Sequence, residues 1–212
     1  MKLDELIALL RRASCVDEID KKRCEIEELI PQVSIMFDYD QQNEYHQYDL
    51  WMHCLHTVVN LPRNLDDDML YLAALLHDIG KPSTQCRSNR SEDVNMHYYG
   101  HPEKSCEIVN NMIIPELERK GMEFSEVDRK RLMYYILFHD DRLSKKLKHI
   151  NRHMKVATWN EFQHLMLLQV ADASAHVLSE VIEKRINICM ELMGEEGELL
   201  YRSYLANDLR RK

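Results

Sequence analysis

Leu70 to Pro82 reads LYLAALLHDIGKP. An apolar helical run ends in the doublet His77-Asp78, and Gly80, Lys81 and Pro82 then break the helix. A buried polar side chain is costly unless it is paired or bound to something. Two adjacent titratable groups at the inner end of a core helix therefore call for a partner. A divalent metal ion accepts neutral imidazole nitrogen and carboxylate oxygen together, which makes it the natural candidate.

Outward from this stretch the chain reads as helix after helix. Asp66, Asp67 and Asp68 open the helix that His77 closes, where acids favour the positive end of the dipole. Upstream, Asp49 is a good N-cap for DLWMHCLHTVVNL, which Pro62 stops. Residues 3–12 and about 17–30 read as two amphipathic helices, and 31–48 as irregular. Downstream, Lys81 to Gly100 is a polar loop, and a helix starts at His101-Pro102 and runs toward Gly121. Ser125 caps SEVDRKRLMYYILFHDD, the basic segment KKLKHINRHM follows, and a long helix from Thr158 carries Asp172. The remainder to about Leu205 is helical. No alternating strand pattern is present, so the expected class is all-α.

Composition agrees. The 212 residues are 45% hydrophobic and 30% charged, with only five Gly and five Pro, which favours a globular helical chain. A net charge of -8 makes long nucleic acid a poor partner, while a single nucleotide remains compatible. Cys15, Cys24, Cys54, Cys86, Cys106 and Cys189 form no Cys-x-x-Cys pair, so free thiols in a reducing cytoplasm are the simplest account. The opening MKLDELIALLRR carries acids and reads as neither signal peptide nor anchor, and no segment is apolar for long enough to span a membrane.

The side chains that sit at the ends or inner faces of apolar helices are His53, His77, Asp78, His101, His139 and Asp172. Three or four such donors hold one ion, and five or six hold two. His56 competes with His53 and His97 with His101. His176, one turn beyond Asp172, is either a hydrogen-bond partner of that carboxylate or part of a surface pair. Lys81 and Arg142 are candidate phosphate contacts. Lys145, Lys146, Lys148, Arg152 and Lys155 read as a solvated face.

The order His53, His77-Asp78, His101, His139, Asp172, with HDIGKP around the doublet, resembles the HD-domain superfamily of metal-dependent phosphohydrolases. More narrowly, YHQYDLWMHCLHTV, LLHDIGKP and YYGHPEKS resemble the HD domain attached to bacterial CCA-adding tRNA nucleotidyltransferases, over about residues 25 to 180. The nucleotidyltransferase head has no counterpart, since no Gly-Ser … Asp-x-Asp element is found, so transferase activity is not implied.

The resemblance implies an all-α HD-domain bundle with a metal site between core helices. It implies His53, His77, Asp78 and Asp172 as the basic ligand set, with His101 and His139 added in two-metal members, Asp78 bridging, and Lys81 facing the anionic group of the substrate. One or two divalent ions are expected, from among Fe, Mn, Zn, Ni, Co and Mg. The expected organisation is an N-terminal helical extension over 1–30, the HD domain over 31–190 and a helical tail over 191–212.

The expected activity is hydrolysis of a small phosphate ester: a nucleotide, cyclic phosphodiester or phosphomonoester. Asp78, Lys81, His101 and His139 would carry the catalysis, and Lys81, Arg142 and Tyr98 would contact the substrate. Tyr98 and Tyr99 would shape the mouth of the pocket and stack a base. Two rival readings stand beside it: a di-iron oxygenase of the myo-inositol oxygenase type, and a non-catalytic module that binds a nucleotide or a protein. The sequence leaves a homo-oligomer open.

Overall fold

A computed structural model describes residues 1–88 and 93–209. Residues 89–92 of the expected loop and 210–212 of the expected tail lie outside the described residues. The fold is all-α, as its sequence pattern predicts. Among the described residues the helices are α1 (Leu3–Arg12), α2 (Val16–Asp20), α3 (Arg23–Leu29), α4 (Leu50–Asn60), α5 (Asp68–Leu76), α6 (Lys81–Thr84) and α7 (His101–Ile108). They continue with α8 (Ile114–Arg119), α9 (Glu126–Phe138), α10 (Leu147–His153), α11 (Trp159–Ala173), α12 (Glu180–Met193) and α13 (Glu195–Leu209).

The expected polar loop contains a small antiparallel hairpin, β1 (Cys86–Arg87) with β2 (Met96–His97). A two-residue pairing is too short to leave an alternating pattern. The helix expected over about 17–30 is broken at Lys21–Lys22. Just before the break, Asp20 accepts the Trp51 indole N–H at 2.7 Å, which ties α2 to α4. The helix expected to run from His101 toward Gly121 is interrupted by one wider turn over Val109–Ile113 before α8 resumes.

α5 is the axis of the molecule. Every residue from Met69 to Leu76 is buried, so beyond Asp68 this helix has no solvent face. It packs on α1, α4, α9 and α11. Asp67 caps it and accepts hydrogen bonds from Tyr135 of α9 at 2.6 Å and from His164 of α11 at 2.7 Å. Burial pushes the Asp67 carboxyl up, but these two bonds outweigh it and hold the group below the usual range. One carboxylate thereby pins three helices in a fixed relation, and each of the three ends in, or carries, a candidate ligand.

Candidate metal centre

Each donor is presented by a local device. Asp49 accepts the Met52 amide at 2.8 Å and starts α4, so His53 falls in its first turn on the buried side with Leu50 and Cys54. His77 and His139 occupy the C-caps of α5 and α9. His101 opens α7 directly after Gly100, whose φ of 77° is the left-handed value glycine tolerates. Asp172 lies in the last turn of α11.

Three of the histidines are oriented alike. The Nδ1–H of His77 donates to Ala74 O at 2.9 Å, that of His101 to Tyr98 O at 2.7 Å and that of His139 to Ile136 O at 2.7 Å. Once Nδ1 carries the proton, Nε2 presents a lone pair, which is the tautomer a metal ligand needs.

These lone pairs converge on Asp78, and its two oxygens face different partners. Oδ2 lies 3.3 Å from His53 Nε2 and 3.3 Å from His77 Nε2. Oδ1 lies 3.1 Å from His101 Nε2 and 3.4 Å from His139 Nε2. Asp172 Oδ1 completes the first side, 3.1 Å from His53 Nε2 and 3.7 Å from His77 Nε2. The carboxylate thus divides the centre into two donor sets.

The protein alone does not satisfy these atoms. His77 Nε2, both ring nitrogens of His53 and Asp78 Oδ1 are buried without a hydrogen-bond partner. His101 and His139 bring their Nε2 atoms to 3.1 Å from each other, although both rings have already spent their proton on a carbonyl. Facing lone pairs at that distance require a positive charge between them. Buried unsatisfied groups are rare in native proteins, and divalent cations answer all of these at once, so the donor set fits metal.

The charged groups of the pocket also act on one another. Burial drives the Asp78 carboxyl up, but Lys81 and His77 outweigh it and hold it well below the usual range. Asp172 is likewise held well below against burial, by His176, His53, His77 and Arg185. Burial pushes His77 down, yet Asp78, Cys54 and Asp172 raise it well above the ordinary imidazole value. His139, by contrast, is lowered, chiefly by burial.

A cavity of about 620 Å³ opens onto the centre. Asp78, Asp172, Glu103, Asp140 and Asp141 line it against Lys81, Arg152 and Arg185, so its fixed charge is acidic. Lys81 is buried, with Nζ 2.7 Å from Asp78 Oδ2 and 2.8 Å from Gln41 Oε1.

Of the two competing pairs, it is His53 and His101 that are brought to Asp78. His56 instead stacks on Tyr48 with ring centroids 3.9 Å apart, and His97 pairs with Asp93 at 2.7 Å. Arg142 is exposed and does not line the cavity. Among the described residues the guanidiniums that do are Arg152, which pairs with Asp141, and Arg185, which donates to His139 O at 2.5 Å and lies 3.5 Å from Asp172 Oδ2. Tyr98 is buried, with its hydroxyl on Gln41 O and its ring 5.6 Å from Lys81 Nζ, so it backs the lysine. Tyr99 is 70% exposed, lines the cavity and stacks on His97.

Gln41, His46 and Arg185 were not legible as site residues. The first two lie in the irregular stretch before α4. Arg185 sits in an ordinary amphipathic helix, and nothing in VIEKRIN marks it.

In a comparison with protein families, the family model described as HD domain matches residues 45–175. Comparisons with curated proteins and with solved structures found no match.

Proposed function

The chain belongs to the HD-domain family, and from that premise we propose that it is a metal-dependent phosphohydrolase acting on a small phosphate ester, with nucleotides as the favoured class. The observation that carries this reading is the divided carboxylate of Asp78, with His53 and His77 at one oxygen and His101 and His139 at the other. His53, His77 and Asp172 would hold one ion and His101 and His139 a second, with Asp78 between them. Divalent ions bound there supply Lewis acidity and lower the pKa of a water so that hydroxide is available near neutral pH.

The chain's own residues place and neutralise the substrate. The cavity's fixed charge is acidic, so a phosphate dianion is admitted only against bound cations. Lys81 has two of its three N–H donors on Asp78 and Gln41 and lines the cavity, which suits it to an equatorial phosphate oxygen. With a single ion on the His53 side, His101 or His139 would have to take up a second proton at Nε2, and that imidazolium would hold the phosphate and pass the added proton to the leaving oxygen. With two ions they are ligands. A volume of about 620 Å³ suits a mononucleotide or a smaller ester, and Tyr99 at its wall offers a stacking face. The likeness to the CCA-adding enzymes' HD domain belongs to the same proposal and favours a nucleotide.

The test is turnover of nucleotides, cyclic phosphodiesters and generic phosphate esters by protein loaded with Mn, Co, Ni, Mg or Fe. Metal-dependent release of phosphate or alcohol is expected, falling at least about 1,000-fold in Asp78→Ala. No turnover with any metal, or an unaltered Asp78→Ala, would overturn the reading. Substrate-dependent oxygen uptake by the iron form would replace it with the oxygenase.

A further inference from the structure

A third group of imidazoles stands beside the two donor sets, and the proposed hydrolysis does not use it. One ring nitrogen each from His46, His53 and His176 lies within 4.8 Å of the others. The rings pack closely, with centroids 4.5 Å apart for His46 and His176, 4.9 Å for His53 and His176, and 5.5 Å for His46 and His53.

The group is built rather than accidental. The Nδ1–H of His176 donates to Asp172 O at 2.9 Å, so its Nε2 presents a lone pair by the same device that orients His77, His101 and His139. His46 is held opposite it by backbone pairing: Val177 N donates to Tyr45 O at 2.9 Å, and Gln47 Nε2 donates to His176 O at 3.4 Å. His46 Nδ1 is buried with no hydrogen-bond partner. An unpaired polar atom is costly in such a place, and a chain that stitches two segments together to create one has a use for it. His46 and His176 both line the cavity, so an ion reaches them from solvent.

We propose that His46, His53 and His176 form a further cation site, which takes a divalent ion of the zinc class with water completing its coordination. Three imidazoles and an open position suit such an ion, whereas magnesium and calcium prefer oxygen. His53 belongs both to this trio and to the His53–His77–Asp172 set. Neither of its ring nitrogens has a hydrogen-bond partner, so serving both sets takes one nitrogen for each and costs the ring proton. The third ion is therefore the weakest held. This site does not depend on the reaction proposed above.

The experiment is a titration of the full chain with Co²⁺, followed by its visible absorption and by metal analysis after dialysis. His46→Gln/His176→Gln is expected to bind one equivalent fewer than the native chain and to lose the weakest phase of the titration. Asp78→Asn is expected to keep that phase. An equal metal count and an unchanged titration in the double variant would overturn the site. In case the double variant folds poorly, ¹⁵N-histidine spectra of the native chain with and without Zn²⁺ give an independent readout. The His46 and His176 ring nitrogens should shift to metal-bound positions, and unmoved resonances at saturating zinc would overturn the proposal. Loss of turnover in every assay, with the third equivalent intact, would sink the hydrolase reading alone.

Discussion

His153 shows how this molecule treats an imidazole that is offered no ion. It is fully buried, with Nδ1 2.8 Å from the Tyr134 hydroxyl and Nε2 3.2 Å from Asp141 Oδ2, and the rings of Phe138 and Phe162 enclose it. Burial, helped by neighbouring Arg152, pushes it down to about 4. The folded value lies below the unfolded one of about 6.5, so the unfolded chain binds more protons between them and stability rises with pH across that interval. The contribution is complete above about pH 6.5 and is lost as pH falls toward about 4, at no more than about 1.4 kcal/mol per pH unit. Thermal melts from about pH 7.5 to 4.5 in the presence of chelator should show the native chain losing stability faster than His153→Gln, and parallel curves would contradict this. The sequence singles out His77, His139 and Asp172 because each is a charge or imidazole at the end of an apolar run, where burial without a partner is expensive; Asp172 after LMLLQVA is the clearest case. It cannot rank Arg142 against Arg185, because a guanidinium reaches its target through a long flexible stem, and the direction of α12 decides which one arrives.

The same logic recurs in the helices, which act as pointing devices. α5 and α9 aim a histidine from their C-caps and α7 from its first residue, so the centre assembles where three helix ends meet. Much of this was legible. Asp49, Asp67, Ser125 and Thr158 all cap through their side chains, as their residue types and the apolar runs behind them suggest. The hairpin and the wider turn after α7 were not, since both depend on tertiary partners rather than on local pattern. Gly80 links the doublet to α7. Its φ of -78° is ordinary, so space is what demands glycine there. A Cβ would stand 2.6 Å from Ser105 N, 2.7 Å from His101 O and 2.9 Å from Lys104 Cβ. Two of those atoms are α7 backbone and cannot turn aside, so Gly80→Ala must displace the start of α7 and His101 with it. A destabilisation of about 1–3 kcal/mol is expected, with roughly tenfold weaker metal retention on the His101–His139 side of Asp78. Melting and metal analysis would check both, and wild-type values in the two would show that the close approach does not position His101.

At the scale of the whole molecule, the family match begins at residue 45, yet the core begins at Leu3. Leu6, Leu10, Ile19 and Ile26 are between 0% and 1% exposed and belong to the same continuous cluster as Leu50, Trp51, Leu70 and Leu168. α1 packs on α5, and α2 packs on α4, the helices that carry His77 and His53. Polar bonds reinforce the seam: Trp51 to Asp20 at 2.7 Å, and Arg11 to Asp68 at 2.9 Å. Fully burying one such aliphatic side chain is worth about 1.5–3 kcal/mol, so the four from α1 to α3 alone approach the whole stability of a typical domain, about 5–15 kcal/mol. A chain starting at residue 31 retains every candidate ligand and every residue of the family match, but it exposes the outer faces of α4 and α5. It should therefore lose its cooperative thermal transition and, because the ligands are held only by packed helices, its bound metal as well. Calorimetry and metal analysis of that truncation, beside Arg11→Ala as a mild disturbance of the same seam, would decide the matter. A truncated chain that melts cooperatively and keeps its ions would make residues 1–30 a separable extension and would move the support of the metal centre wholly within residues 31–212.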